Sequence, residues 1–300
     1  MYVITGATGN TGSVVANRLL DSGQKVRVIA RNLERLQLLA SRGAEAMICE
    51  LTDPVALTHA FTGAKAVYAM IPPNWKAPDP GGFQEQVSDA LAAALAGAGV
   101  RYAVTLSSIG ADKAAGTGPV VGLHNLEKKL DRIAGLNVLH LRPAYFMENT
   151  LPQARVIAQA GFAAGPLNPD KALPMIATRD IGEVACQELI GLKFQGRQTR
   201  ELLGPRDYNM NEAAATIGKA IGRPGLKYRQ LGDEQLRSSL IQMGMSAKLA
   251  NLILEMSAAI NSGHMAPLEP RTARNSTPTT YATFVAEQFV PTYWEVAEAA

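Results

Sequence analysis

The amino-acid sequence predicts an α/β protein: a doubly wound parallel sheet followed by a smaller, mostly helical C-terminal lobe. In the first half of the chain, short apolar segments alternate with segments of helical periodicity, a pattern typical of a parallel sheet with helices on both faces. A glycine-rich turn joins the first apolar segment to the first helix. The second half is less regular, and most of its periodic segments are helical. Together, these three features indicate the fold class.

The composition fits an ordinary folded protein and argues against several function classes. The 300 residues are 47% hydrophobic, enough for one large domain or two modest ones. A net charge of +3, with 18% charged residues, predicts no nucleic-acid partner. No apolar run is long enough to span a membrane, and Cys49 and Cys186 lie far apart and predict no metal site. With a strand starting at Tyr2 and no room for a signal peptide, we expect a cytoplasmic protein without a membrane partner.

The N-terminal segment predicts a dinucleotide site. Residues 2–5 are β-branched or aromatic, as in a buried strand, and residues 13–20 carry apolar side chains at helical spacing. Between them, Gly6, Gly9 and Gly12 form a G-x-x-G-x-x-G variant of the dinucleotide fingerprint. Glycine lets a phosphate approach the free N–H groups of the helix start, although any tight turn can use glycine. The context favours a Rossmann-type fold with cofactor contacts from Gly6, Thr8, Gly9, Asn10, Thr11 and Gly12.

The second strand, residues 25–30, ends at a position that distinguishes the two nicotinamide cofactors. Sites that prefer NAD(H) hold the ribose 2′-hydroxyl with an acidic residue there. This chain has Ala30 followed by Arg31, whose planar guanidinium can pair with a 2′-phosphate. An exposed arginine at a strand end is also common without a ligand. Because the acid is missing and a base is present, NADP(H) is predicted to be preferred over NAD(H).

Further elements follow in alternating order. Strands are predicted over residues 44–49, 64–71, 101–106 and 137–143, and helices over 33–42, from 53 onward, over 82–98 and over 124–130. In such sheets, ligands lie at the carboxyl ends of the strands. We therefore expect residues after the later strands to complete the cofactor site: Met70, Ile71, Ser107, Pro143 and Tyr145. Tyr145 fits a nicotinamide pocket or the core equally well.

The predicted helix over residues 124–130 carries two candidates for chemistry. His124 and Lys128 are four residues apart and share one face. Histidine can move a proton near neutral pH, and lysine can hold ribose hydroxyls. With Ser107 they form a tentative catalytic set. The same residues also fit an exposed helix start whose charge pattern includes Glu127, and both interpretations stay open.

The second half predicts a substrate or partner lobe. Its expected elements are a helix that starts at a capping box of Asp180 and Glu183, a helix capped by Asn211, strands near 200–203 and 227–231, and helices over 233–242, 246–261 and 277–289. We expect an NAD(P)-binding Rossmann domain over residues 1–150 and the smaller lobe over 151–300. Some later segments are expected to return to the first domain.

Several segments together resemble the NmrA-like branch of the atypical short-chain dehydrogenases/reductases. They are residues 6–12, 28–32, 106–111, 141–149, 178–182 and 277–280. The resemblance runs through the whole chain and implies an NADP(H)-binding Rossmann domain with a C-terminal substrate lobe. It implies either a reductase of quinones, dyes or other small organic acceptors, or a sensor of the NADP(H) redox state.

One departure from the wider family concerns catalysis. Its usual members carry Tyr-x-x-x-Lys, and the matching place here is residues 124–128, where histidine replaces tyrosine. The resemblance therefore implies ribose binding by Lys128 and leaves proton donation to His124 or a bound water. We expect an NADPH-dependent reductase of a small organic acceptor such as a quinone, acting by hydride transfer. A non-catalytic NADP(H) sensor that acts through a protein partner is the alternative, and an isomerase or lyase of nucleotide sugars fits less well.

Overall fold

The computed structural model describes residues 1–298. Its strands are β1 (Tyr2–Ile4), β2 (Val26–Ala30), β3 (Glu45–Ile48), β4 (Ala66–Ala69), β5 (Tyr102–Leu106), β6 (Asn137–Pro143), β7 (Tyr145–Phe146), β8 (Ala163–Gly165), β9 (Leu173–Ile176), β10 (Arg197–Leu202), β11 (Asp207–Tyr208) and β12 (Tyr228–Gln230). Its α-helices are α1 (Asn10–Asp21), α2 (Gln37–Ser41), α3 (Pro54–Phe61), α4 (Pro80–Gly97), α5 (Val121–Leu130), α6 (Gln153–Ala160), α7 (Thr178–Gly191), α8 (Met210–Ala220), α9 (Asp233–Gln242), α10 (Ala247–Ser262), α11 (Tyr281–Phe284) and α12 (Val290–Glu298).

Seven strands form one sheet in the order β10-β6-β5-β4-β1-β2-β3. Every neighbouring pair is parallel, so the carboxyl ends of these strands lie along one edge. The chain starts near the centre with β1, moves outward through β2 and β3, and returns to β4 on the other side of β1. In doubly wound sheets this reversal creates the crevice in which ligands bind. The predicted fold class is confirmed.

Apolar helix faces cover both sides of this sheet. On one side α1 and α7 bury residues such as Val15 and Ile181. On the other side α3, α4 and α5 pack through residues such as Leu91. Successive strand residues point to opposite faces, and in β1 Ile4 belongs to the first core and Val3 to the second.

Two segments from the second half of the chain pack with the sheet. Strand β10 pairs with β6, and α7 lies so close to α1 that a Cβ at Gly182 would be 2.6 Å from the Cβ of Val14. Most of the other late elements surround a separate core that includes Phe284 and Phe289. Together with β7, they form the small sheets β11-β9-β7 and β12-β8. The division of the chain at residue 150 stays a prediction.

The predicted start of α7 is wrong, because its capping group comes from a distant segment. The helix begins at Thr178, two residues before Asp180, and its N-cap residue Ala177 has no side-chain acceptor. The carboxylate of Glu148 takes this place and accepts the backbone N–H of Thr178 at 2.9 Å. Asp180 instead accepts the backbone N–H of Thr279 at 3.0 Å and ties the C-terminal region to α7.

Two other predicted helix starts are shifted by a few residues. Helix α8 is capped by Asn209 rather than Asn211, since Asn209 forms the reciprocal capping box with Glu212. The last helical region begins at Tyr281, where the hydroxyl of Thr280 accepts a backbone N–H of the first turn. In both cases the true N-cap residue is of the same type as the predicted one and lies close to it in the sequence. N-cap propensity alone does not distinguish two such neighbours.

Within residues 1–298, no helix is long and apolar enough to cross a membrane. The same described part of the chain contains no group of three or more His, Cys, Asp or Glu residues arranged to hold a metal ion.

Candidate active site

A cavity of about 610 Å³ lies at the carboxyl edge of the sheet, beside the point where the strand order reverses. Its walls are the glycine turn after β1, the segments that follow β4, β5 and β6, and one face of α10. The structure brings many predicted site residues to this lining: Gly6, Gly9, Asn10, Thr11, Met70, Ile71, Ser107, Pro143 and Tyr145. The other predicted residues lie outside the lining: Thr8, Gly12, Arg31, His124 and Lys128.

The glycine turn has the tight geometry that a phosphate site requires. Gly6 has a φ of +62°, and a Cβ there would lie 2.8 Å from the sulfur of Met70. A Cβ at Gly12 would lie 2.2 Å from the carbonyl oxygen of Gly6, so α1 packs directly on the turn. Gly9 is the N-cap of α1 and provides no side-chain acceptor. The first N–H groups of the helix have no intrahelical partner, and they fit the pyrophosphate of a dinucleotide.

A buried hydrogen-bond chain fixes this turn to the neighbouring strand. The Tyr68 hydroxyl donates to the hydroxyl of Thr11 at 2.9 Å, and the hydroxyl of Thr5 donates to the Tyr68 carbonyl at 3.1 Å. Thr5 also accepts the backbone N–H of Met70 at 3.1 Å. Burial raises the pKa of Tyr68 strongly, so its hydroxyl stays protonated. Sequence reasoning missed Tyr68, whose aromatic ring in a central strand indicates only core packing.

The adenosine side of the expected site carries free positive charge. Arg31 follows β2 directly and is exposed, as is Arg35 in the next turn. Within residues 1–298 neither guanidinium forms an ion pair, in contrast to Arg27, which pairs with Glu45 at 2.9 Å. Both arginines are therefore available to an anion at this end of the sheet.

Ser107 belongs to a buried ionic network that sequence reasoning did not find. Its hydroxyl donates to Oε1 of Glu127 at 2.5 Å, and Glu127 is only 4% exposed. The guanidinium of Arg142 binds both carboxylate oxygens, with Nε 2.9 Å from Oε1 and Nη2 2.5 Å from Oε2. Burial lowers the pKa of Arg142, but the hydrogen bond and charge of Glu127 outweigh it, and the net pKa is raised. An arginine inside a buried strand, which needs an acidic partner, was the available signal.

The residues of helix α5 that face the cavity differ from the predicted ones. Lys128 is exposed, and Nδ1 of His124 is 2.8 Å from the carbonyl oxygen of Ala111. The cavity instead meets Leu123, and Glu127 reaches it through Ser107. One residue along a helix rotates the side chain by about 100°. The catalytic role of His124 and the ribose-binding role of Lys128 stay predictions that this geometry does not favour.

Helix α10 forms the outer wall of the cavity. Its contribution is the apolar stripe of Leu249, Ile253, Met256 and Ile260, whose helical spacing was visible in the sequence without indicating what it covers. The helix rests on the glycine-rich loop after β5. A Cβ at Gly118 would lie 2.1 Å from the carbonyl oxygen of Leu252, and one at Gly110 would lie 2.9 Å from Met265.

The lining is mostly apolar, with a few amide and hydroxyl side chains such as Asn10, Gln84 and Asn149, and it carries no formal charge. Among the residues that the structure describes, no Asp, Glu, Lys, Arg or His belongs to this lining. Tyr145 is its ionisable side chain, and burial raises the pKa of this phenol to about 12. The phenol therefore stays neutral in physiological conditions and can donate a hydrogen bond but is a weak acid.

Comparisons with known proteins agree with this geometry. The NmrA-like family profile matches residues 2–286. The chain is 32% identical over 241 residues to a (4-alkanoyl-5-oxo-2,5-dihydrofuran-3-yl)methyl phosphate reductase of Streptomyces griseus subsp. griseus, covering 80% of each chain. It is 29% identical over 268 residues to an NAD(P)H azoreductase of Xenophilus azovorans, covering 89% of each.

Solved structures show the same fold. An NADPH-dependent quinone oxidoreductase of Escherichia coli in complex with NADPH superposes with a TM-score of 0.83 at 23% identity, over 96% of this chain and 100% of the other. The triphenylmethane reductase of Citrobacter sp. complexed with NADP(H) has a TM-score of 0.76 at 20% identity, over 96% and 100% of the two chains. With the family match, the glycine turn and the doubly wound sheet in agreement, the chain belongs to the NmrA-like family, whose relatives include named NAD(P)H-dependent reductases.

Proposed function

We propose that the protein is an NADPH-dependent reductase that transfers hydride to a small, neutral organic acceptor such as a quinone. The observation that carries the proposal is one cavity of about 610 Å³ whose lining joins the glycine turn to an apolar wall without a charged side chain. Such a cavity suits a flat, uncharged acceptor next to the cofactor. The names of the azoreductase and of the quinone oxidoreductase support the same class of acceptor.

Different residues of the chain would hold the two ends of the cofactor. The first turn of α1, with Asn10 and Thr11, would hold the pyrophosphate, and Arg31 would hold the 2′-phosphate. Met70, Pro143 and Tyr145 line the cavity and would contact the nicotinamide half. When bound, the cofactor supplies the hydride. The apolar face of α10 would exclude water from the site.

The proposed acceptor class also fits the weak proton donor in the cavity lining, the phenol of Tyr145. Reduction of a simple ketone produces an alkoxide, a strong base that requires a protein acid. A quinone that receives a hydride produces a phenolate, which is a much weaker base and takes its proton from water. A cavity whose ionisable side chain is a phenol with a raised pKa suits the second reaction.

The test is NADPH oxidation by the purified protein with a panel of quinones, azo dyes, enones and aldehydes. We expect multiple turnovers with quinones or azo dyes and none with simple aldehydes. Turnover of aldehydes alone would contradict the proposed acceptor class. Failure to bind NADPH in a parallel fluorescence titration would overturn the proposal as a whole.

A non-catalytic NADP(H) sensor is the second candidate, and the absence of a strong acid from the cavity lining favours it. A sensor must bind NADPH and NADP⁺ with different affinities, since equal binding changes no equilibrium. Clearly different Kd values for the two forms, together with no turnover across the panel, would favour the sensor. Multiple turnover with any member of the panel would exclude it.

A further inference from the structure

The hydroxyl of Ser107 has a fixed hydrogen-bonding direction. A carboxylate paired with arginine only accepts hydrogen bonds, so the proton between Ser107 and Glu127 belongs to the serine. Ser107 lines the cavity, and its hydroxyl oxygen keeps only lone pairs for any further partner there. The backbone N–H of Ser107 is also occupied, because it donates to the carbonyl oxygen of Leu141 at 2.7 Å.

We propose that Glu127, held by Arg142, positions Ser107 as a hydrogen-bond acceptor for the nicotinamide half of the cofactor. The carbonyl oxygen of an acceptor needs a donor, which Ser107 in this state does not offer. The nicotinamide half carries donors of two kinds, the carboxamide NH₂ and the ribose hydroxyls. Ser107 is thereby assigned to the cofactor and not to the acceptor. The inference rests on the proposed function, because it requires that the cavity binds NADP(H).

Burial makes this arrangement rigid. Glu127 and Arg142 have side chains that are 6% and 11% exposed, so water competes little for the carboxylate. Arg142 lies on β6 and Ser107 at the end of β5, which pair in the sheet, while Glu127 comes from α5 above them. Three elements thus fix one hydroxyl, and Glu127 is a positioning residue that acts through Ser107.

The first experiment measures binding by calorimetry, without an acceptor, for the wild type and Ser107→Ala. The ligands are NADP⁺ and its 3-acetylpyridine analogue, which lacks the carboxamide NH₂. Loss of one hydrogen bond should weaken NADP⁺ binding by about three- to tenfold. If Ser107 accepts from the amide, the substitution should leave the affinity for the analogue unchanged. If it accepts from a ribose hydroxyl, both ligands should lose affinity equally.

A matched control is Ser239→Ala, which removes a serine hydroxyl that is hydrogen-bonded to the carbonyl oxygen of Gln235 on α9. Ser239 lies outside the cavity lining, and its substitution should change neither affinity. Unchanged NADP⁺ affinity in Ser107→Ala would overturn the inference. A simultaneous rise in the acceptor KM would assign the serine to the acceptor instead. A wild type that binds no NADP⁺ would overturn the proposed function itself.

The second experiment tests the positioning role of Glu127. In Glu127→Gln the amide can donate to Ser107 and reverse the direction of its hydrogen bond. We expect NADP⁺ affinity to fall about as much as in Ser107→Ala. The double variant should bind NADP⁺ no more weakly than Ser107→Ala alone. A merely structural role would lower the free energy of unfolding while leaving the Kd unchanged, and that result would remove Glu127 from the proposal.

Discussion

Arg31 is the residue on which the proposed preference for NADP(H) depends. It lies exposed directly after β2, at the end of the sheet where the adenosine half is proposed to bind. Arg31→Ala should raise the Kd for NADPH by about tenfold or more, since charge-assisted bonds to the 2′-phosphate are lost. Binding of NADH, which has no 2′-phosphate, should not change. Fluorescence titration with both cofactors measures the difference, and Arg132→Ala, at another exposed arginine, is the control. Equal losses for NADPH and NADH would exclude the assigned role.

Also at the scale of single residues, the sequence indicates the glycine turn but not the polar network beside it. The turn is local, since Gly6, Gly9 and Gly12 all act within one strand-to-helix connection. The pair of Glu127 and Arg142 joins two elements, and in the sequence Glu127 stands beside two lysines like a residue of an exposed helix face. The direction in which α5 points His124 depends on how the helix sits on the sheet, which is a property of tertiary packing.

At the scale of elements, the contact between α10 and the loop after β5 positions one wall of the cavity, the wall proposed to face the acceptor. Gly118 has a φ of +59°, and a Cβ there would lie 2.1 Å from the carbonyl oxygen of Leu252. Gly135 has a similar φ of +78°, but no atom lies within 4 Å of its Cβ position. Alanine at either position costs about 1–2 kcal/mol for the left-handed backbone. Only Gly118→Ala should also displace α10.

We therefore expect Gly118→Ala to lower the free energy of unfolding by about 1–3 kcal/mol more than Gly135→Ala. It should also raise the acceptor KM and leave the Kd for NADPH unchanged, because α10 does not touch the glycine turn in this contact. Urea unfolding and steady-state kinetics measure the two effects. If the two variants had the same free energy of unfolding and the same acceptor KM, the contact with Leu252 would contribute to neither.

The end of helix α5 and strand β6 are linked by a second, partly buried pair, which predicts a pH dependence. Nε2 of His140 lies 3.3 Å from Oδ1 of Asp131, and this hydrogen bond lowers the pKa of Asp131 in the folded protein. A carboxyl with a lowered folded pKa stabilises the fold above its unfolded pKa, and the contribution is lost as the pH falls through the folded value. Asp131→Asn should therefore be less stable at neutral pH and lose less stability in acid. Urea unfolding from neutral pH to about pH 3 tests this.

Asp233→Asn, at an exposed carboxyl at the start of α9, is the control for that experiment and should follow the wild-type profile. An unchanged loss of stability in acid for Asp131→Asn would contradict the role of the pair. The existence of both elements was predictable from periodicity. The pair itself was not, because neither His140 in a strand nor Asp131 after a helix indicates a partner in the sequence.

At the scale of the whole molecule, the order of the elements was more predictable than the way they pack against one another. The alternation of strands and helices determines the doubly wound sheet, since right-handed crossovers leave few arrangements. The apolar stripe of α10 and the glycines of the loop after β5 were both visible in the sequence. That they are in contact, with Gly118 against the carbonyl oxygen of Leu252, follows only from tertiary packing.

The uncharged lining predicts that the protein selects acceptors by charge. An anionic acceptor would lose hydration in a cavity without a cation to replace it, so a sulfonated quinone should have a kcat/KM at least about tenfold below that of its neutral parent. Met256→Lys places a cation on the cavity face of α10 and should reduce the ratio of the kcat/KM for the neutral quinone to that for the sulfonated quinone. Ala258→Lys adds the same charge at an exposed position of the same helix, outside the lining, and should leave the ratio near the wild-type value. If both lysine variants changed the ratio equally, selection would depend on the overall charge of the protein and not on the cavity.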